Sequence, residues 1–223
     1  MKKITAVLLC LCLSAWMLAA CGSGESAEVK SSADKFLSAM KSGDTAGIRQ
    51  YSTENAISDE DLAIFDSEAF ESTLYESIGI PKEELDADLQ AQITSLCDKY
   101  SKDLIKEYSI KSAEVKDGVG TVNVDITYGF DIDTLFEGEE QDAAMDELIA
   151  SYQEEHEAEL LSLYLTDGEE AMYKKLFTDI MPDVIKLLND ELDSSKEVSE
   201  DLYLTLEKID GTWKVTDSYT YEP

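Results

Sequence analysis

Two stretches of this chain alternate apolar and polar residues around an Asp-Gly pair, and that pattern restricts the fold more than any other feature. Ile110, Ala113 and Val115 lead into Lys116-Asp117-Gly118, after which Val122, Val124, Ile126, Tyr128 and Phe130 fall on one face and Thr121, Asn123, Asp125 and Thr127 on the other. Leu202, Leu204 and Leu206 alternate with Tyr203, Thr205 and Glu207, Asp210-Gly211 makes the turn, and Trp213, Val215, Tyr219 and Tyr221 lie at alternate positions of the returning strand. Side chains of a strand alternate between faces, and Asp-Gly tolerates the positive φ values that a tight hairpin turn demands. Each stretch is predicted to be a hairpin.

The rest of the chain has helical spacing. Ala33, Phe36, Leu37 and Met40 mark a first helix, with Ser31 or Ser32 as its cap and Gly43 at its end; Asp44 caps a second turn carrying Ile48 and Tyr51. Residues 52–66 read as a loop with a helical turn. Phe70, Leu74 and Ile78 follow on a helix starting near Ser67 and broken by Ile80-Pro81. Leu85, Leu89, Ile93, Leu96, Tyr100, Leu104 and Tyr108 then form one long stripe. Between the hairpins, residues 138–193 are helical, with a break at Asp167-Gly168 and Pro182 expected to kink or split the last helix. Helices, hairpin, helices, hairpin is the order of an α+β fold, with an antiparallel, curved sheet packed by helices and a long helical section between two hairpins.

The first twenty residues have a different character. Lys2 and Lys3 precede an apolar run from Ile4 to Leu18, which is shorter than the roughly 20 residues a spanning helix needs. Leu18-Ala19-Ala20-Cys21 closes it and closely resembles the lipobox of bacterial lipoproteins. That resemblance implies a diacylglyceryl group with palmitate-type acyl chains in thioether linkage to the Cys21 sulfur, cleavage before that residue, and a lipid anchor in the cell membrane with the protein facing away from the cytoplasm. The expected organisation is a signal peptide over 1–20, a lipidated cysteine and flexible tether over 21–30, and a single α+β domain over 31–223. Two acyl chains anchor stably where one binds only marginally.

Loss of the leader removes two of 18 basic residues and leaves 49 acidic ones, a net charge of about −33. Nucleic acid is not expected as a partner, because a polyanion needs a cationic footprint. Cys10 and Cys12 leave with the leader and Cys21 is consumed by lipid, so Cys97 alone remains and no intrachain disulfide can form. The core must come from packing.

The opening segment Phe36-Leu37-Ser38-Ala39-Met40-Lys41-Ser42-Gly43-Asp44 and the closing hairpin from Leu204 to Val215 resemble the cystatin-like α+β domains related to nuclear transport factor 2, in particular those of small Gram-positive lipoproteins. The resemblance covers about a quarter of the chain. It implies helices cradled by a curved sheet with a cone-shaped cavity, which the long helical insertion would fill or cover.

Candidate ligand-binding residues are the strand aromatics Tyr128, Phe130 and Trp213 and the single histidine, His156, although residues so placed are more often plain members of the core or its margin. Ser38-Ala39-Met40-Lys41 has the S-x-x-K spacing of penicillin-interacting enzymes but no S-D-N or K-T-G partner. Asp131-Ile132-Asp133 starts like a calcium loop, yet Leu135 and Phe136 stand where a ligand and the turn glycine belong. Asp59-Glu60-Asp61 reads as a solvated charge run. No catalytic set, metal site or cofactor is expected. The reading is a non-enzymatic surface module for a small ligand or a cell-envelope protein, or alternatively an assembly lipoprotein docking a cationic partner through its acidic surface; a hydrolase comes after both. Mass spectrometry of the mature N-terminus should find diacylglyceryl on Cys21, and Cys21→Ala should release the protein from the membrane; an unmodified wild-type Cys21 would refute the anchor.

Overall fold

Asp117 and Gly118 take φ values of 54° and 82°, and Asp210 and Gly211 take 50° and 81°. Both hairpins therefore turn through two residues with positive φ, whose twist matches that of the strands they join. The computed structural model describes residues 24–131 and 139–220. The leader, Cys21, Asp133, Leu135, Phe136 and Tyr221 lie outside the described residues.

The strands are β1 (Ile105–Lys116), β2 (Val119–Tyr128), β3 (Val198–Ile209) and β4 (Thr212–Thr220), in a four-stranded antiparallel sheet of that order. The helices are α1 (24–42), α2 (Thr45–Tyr51), α3 (Asp59–Ala63), α4 (Ser67–Ile78), α5 (Ala87–Asp103), α6 (Glu139–Glu155), α7 (Glu157–Asp167) and α8 (Glu169–Ser194). The expected α+β class is what the structure shows. The chain divides into two compact units, one of residues 1–62, 107–127 and 199–223, the other of residues 63–106 and 128–198. Among the described residues no helix is long and apolar enough to cross a membrane.

In the sheet unit, Val29, Ala33, Phe36 and Leu37 recur at helical spacing along α1 and are buried, as are Val122, Val124, Ile126, Leu204, Leu206 and Val215 of the sheet. Each fully buried Leu or Phe contributes about 1.5–3 kcal/mol. The alternate residues of β2 stay partly open: Lys111 pairs with Asp201 at 2.6 Å and Asp125 at 3.4 Å, and Thr127 shares a hydrogen bond with Ser199. Gly43 (φ 69°) ends α1, and Asp44 accepts from Gly47 N to start α2, as the spacing predicts.

Four expectations are corrected. The tether was to reach residue 30, but α1 is helical from residue 24. Val29 is fully buried and sits over Gly120 of β2, and Glu28 accepts from Trp213 and Lys208, so this polar-looking stretch is tied to the sheet. Ser31 and Ser32 are consequently mid-helix rather than caps. The stripe from Leu85 to Tyr108 is not one helix, since α5 ends at Asp103 and β1 begins at Ile105. A spacing of four is also two strand repeats, so Leu104 and Tyr108 fit either period. Of the kink or split expected at Pro182, the split is absent, since α8 runs through it. It removes one donor, and buried Ile180, Met181 and Ile185 on either side keep the turn in place. Finally, Tyr219 does not share the face of Trp213 and Val215. A register shift between Thr205 and Leu206 pairs Leu206 with Val215 but Thr205 with Asp217, and a bulge of this kind turns every later side chain over. Tyr219 is exposed and stacks on Tyr203, with ring centroids 5.3 Å apart.

A Cβ on Gly120 would stand 2.8 and 2.9 Å from the two methyl carbons of Val29. Gly120→Ala should therefore cost about 1–3 kcal/mol in urea unfolding. Adding Val29→Ala should recover much of that loss, a coupling expected only of touching residues; simple additivity would show that α1 does not rest there.

Candidate functional site

In the helical unit, Asp66 accepts hydrogen bonds from Glu68 N and Ala69 N and starts α4. Glu68, Glu71, Ser72, Tyr75 and Glu76 then recur at i, i+3, i+4, i+7 and i+8, a polar stripe facing Thr94 and Asp98 of α5 across a cleft of about 650 Å³. Asp86 caps α5 by accepting from Asp88 N and Leu89 N, and α4 packs on α5. Pro81 leads into the 3-10 turn Lys82–Glu84, which delivers Lys82 to the cleft.

Glu71 is the floor of this site. Only 6% of it is exposed, and it is the one charged residue that is buried among the described residues. Lys82 Nζ donates to its Oε1 at 2.5 Å, and Thr94 Oγ1 lies 3.2 Å from the same oxygen. Lys82 Nζ also lies 5.7 Å from the centre of the Tyr75 ring. Tyr75 is 8% exposed; its Oη is sealed from solvent and meets no partner in hydrogen-bond geometry. Burial first, and then the charge of Glu71, push the Tyr75 phenol up to about 12. The same two causes, in the same order, push the Cys97 thiol of α5 up to about 12. At neutral pH both groups keep their protons, so neither is a base or a nucleophile there.

The residues singled out from the sequence are not gathered at one place. Phe130 is buried against Tyr100, ring centroids 4.9 Å apart, and Tyr100 stacks in turn on Phe70 at 4.7 Å; these rings are core. Tyr128 is half-buried at the end of β2. His156 is partly exposed at the start of α7, stacked on Tyr152 at 4.2 Å with Nδ1 3.2 Å from Glu159. Beside it Tyr152 and Lys175 both donate to Asp179. Desolvation opposes ionisation of Asp179, but those two hydrogen bonds outweigh it and hold its carboxyl below the usual range. Hydrogen bonding to Asp179 pushes Lys175 up.

Trp213 belongs to the other unit. It is buried, its Nε1 donates to Glu28 at 3.3 Å, and Lys208 reaches the same carboxylate at 3.1 Å. These residues, with Lys35 placed over the ring of Tyr51, border a shallow groove of about 570 Å³. Lys208 is the first cause that holds the Glu28 carboxyl below its ordinary value. The groove is open rather than a closed aromatic cavity.

Ser38 and Lys41 are both exposed on α1. In the acidic run, Asp59 pairs with Arg49, and Asp61 accepts from Ser58 Oγ at 2.7 Å. Among the described residues no group of three or more His, Cys, Asp or Glu is placed to hold a metal ion.

Sequence reasoning missed Glu71 and Tyr75, because a glutamate in a strongly acidic chain reads as solvated surface. The available signal was the polar stripe at helical spacing beside the apolar one of Phe70 and Leu74. No family model, curated protein or solved structure matches the chain.

Cys97 is fully buried, so Ellman's reagent at pH 8 should label it only as fast as the unit opens. The unfolded thiol ionises near 9 and the folded one near 12, so this contribution to stability is intact below pH 9 and lost as the pH rises toward 12. Rapid labelling of the native protein would contradict both statements.

Proposed function

We propose that the chain is an exported lipoprotein, lipidated on Cys21 and held at the cell membrane on the side away from the cytoplasm, where it acts as a non-enzymatic module that docks an envelope protein. The Leu18-Ala19-Ala20-Cys21 tetrad supports the anchor. The two segments that resemble cystatin-like domains lie together in the sheet unit, where α2 packs on β4 and Ser52 bridges to Val215. That is consistent with the resemblance and leaves the function to be argued from surfaces.

One observation carries the docking reading. Seven large apolar side chains are exposed among the described residues, and five of them, Leu161, Tyr164, Leu165, Tyr173 and Phe177, sit on α7 and α8. Leu161, Tyr164 and Leu165 share a face at i, i+3 and i+4, and Tyr173 and Phe177 do so at i and i+4. The two helices pack on each other, and Leu160, Leu176 and Ile180 form their buried seam, so the exposed set is surplus to the core. Monomers rarely leave such residues clustered, and clusters of this kind mark interaction sites. Glu157, Asp167, Glu169 and Glu170 surround them. A second copy would bring the same carboxylates together, whereas a partner with an apolar centre and a Lys or Arg rim complements the face.

A photoreactive phenylalanine in place of Leu165, in the lipid-anchored protein in cells, should give a discrete protein adduct. The same group in place of exposed Tyr219 serves as control and should not. Leu161→Glu should abolish the adduct and added salt should weaken it. Equal yields at both positions, or none at 165, would overturn the docking reading.

A further inference from the structure

A carboxylate in so acidic a chain is most stable in water, yet Glu71 is buried and depends on a single cation that comes from a short turn. Lys82 is about half exposed, so it can swing out into solvent with little else to break. Beneath it, the buried Tyr75 hydroxyl lies beside Glu71 yet meets no partner in hydrogen-bond geometry. An unsatisfied buried hydroxyl lowers stability, so the fold gains nothing from keeping it in the unliganded protein. A ligand group that donates to it gains a hydrogen bond already desolvated and held in place.

The surroundings limit what that group is. Glu68, Glu76 and Asp98 border the cleft along with Glu71, against Lys82 alone, so the field there is negative. Asp98 is engaged by Ser67 Oγ. A volume of about 650 Å³ suits a small organic molecule. The carboxylates are not grouped as a metal site among the described residues. The acceptors at the floor (the Glu71 carboxylate, Thr94 Oγ1 and Tyr75 Oη) call for several N–H donors on one small centre, and an ammonium supplies three.

We propose that the cleft over Glu71 binds the primary ammonium group of a small ligand, and that Lys82 stands in for that ammonium in the unliganded protein. This site lies on α4 and α5 and is independent of the docking face on α7 and α8. Ligand entry moves Lys82 out to solvent, places N⁺–H against Glu71 and gives the Tyr75 hydroxyl its missing partner. No bond is made or broken beyond this exchange of cations.

The test is chemical rescue in the intact protein. Lys82→Met keeps the apolar stem and removes the charge, so its melting temperature should fall. Ethylammonium chloride should restore it saturably, in the millimolar range. Tetramethylammonium chloride at equal ionic strength carries the charge without an N–H and should not. Glu71→Gln added to Lys82→Met should abolish the rescue, and Tyr75→Phe should weaken the apparent affinity about tenfold. If Lys82→Met does not fold, the wild-type chain answers the same question: ethylammonium should shift the Tyr75 ring resonances saturably, and Tyr75→Phe, while as stable as wild type or more so, should bind ethylammonium less tightly by calorimetry. Equal rescue by tetramethylammonium, rescue that survives Glu71→Gln, unchanged affinity in Tyr75→Phe, or no saturable shift in the wild type would each overturn the proposal.

Discussion

Charge is the constraint under which this protein is built. With 49 carboxylates against 18 basic residues, every place where acidic side chains come close needs a cation, and cations are scarce. The structure puts them at such points: Lys111 between Asp125 and Asp201 on the sheet, Lys175 between Glu159 and Asp179 on the helices, Lys99 of α5 on Asp193 of α8, Lys174 on Glu84. Exposed pairs of this kind contribute little singly, about 0–1 kcal/mol. Their value here lies in relieving like-charge repulsion where strands and helices must approach, and the stability itself comes from apolar packing, Cys97 being the one cysteine among the described residues and free.

The sequence made the hairpins legible because Asp-Gly and strict alternation are local signals. The apolar seams of α5 and α8 were legible for the same reason. What it hid was set by tertiary contact. Residues 24–30 look like a polar leash, and it takes Val29 meeting the bare backbone of Gly120 and Glu28 meeting Trp213 and Lys208 to tie them down. The bulge opposite Thr205 leaves no mark in composition, so Tyr219 reads as a neighbour of Val215 although it points the other way. Leu104 and Tyr108 satisfied two periods at once. At the candidate site the aromatics chosen by type proved to be core or scattered, whereas Glu71 and Tyr75 became visible only once burial was known.

Two surfaces of the helical unit work by different physics. The face of Leu161, Leu165 and Phe177 offers apolar area, a non-directional attraction that suits a broad partner. The Glu71 cleft offers directed acceptors in a low-dielectric floor, which discriminates between cations by their N–H groups rather than by charge alone. Both are framed by acidic residues, so on the proposed readings both would select for positive charge, one at the rim and the other at the centre.

The early start of α1 has a consequence for height above a bilayer. Three peptide steps separate Cys21 from residue 24, where the helix has begun, and they span at most about 10–11 Å when fully extended. On the lipoprotein reading, the sheet unit is then tethered by a stub rather than a cord. It is confined to a thin layer over headgroups whose negative potential decays over about 8 Å at physiological salt, a distance comparable with the stub itself. Its acidic surface is pushed outward while its first helix is pulled in, and the balance leaves it little room to tumble: ionic strength becomes a control on how closely, and which way up, it rides.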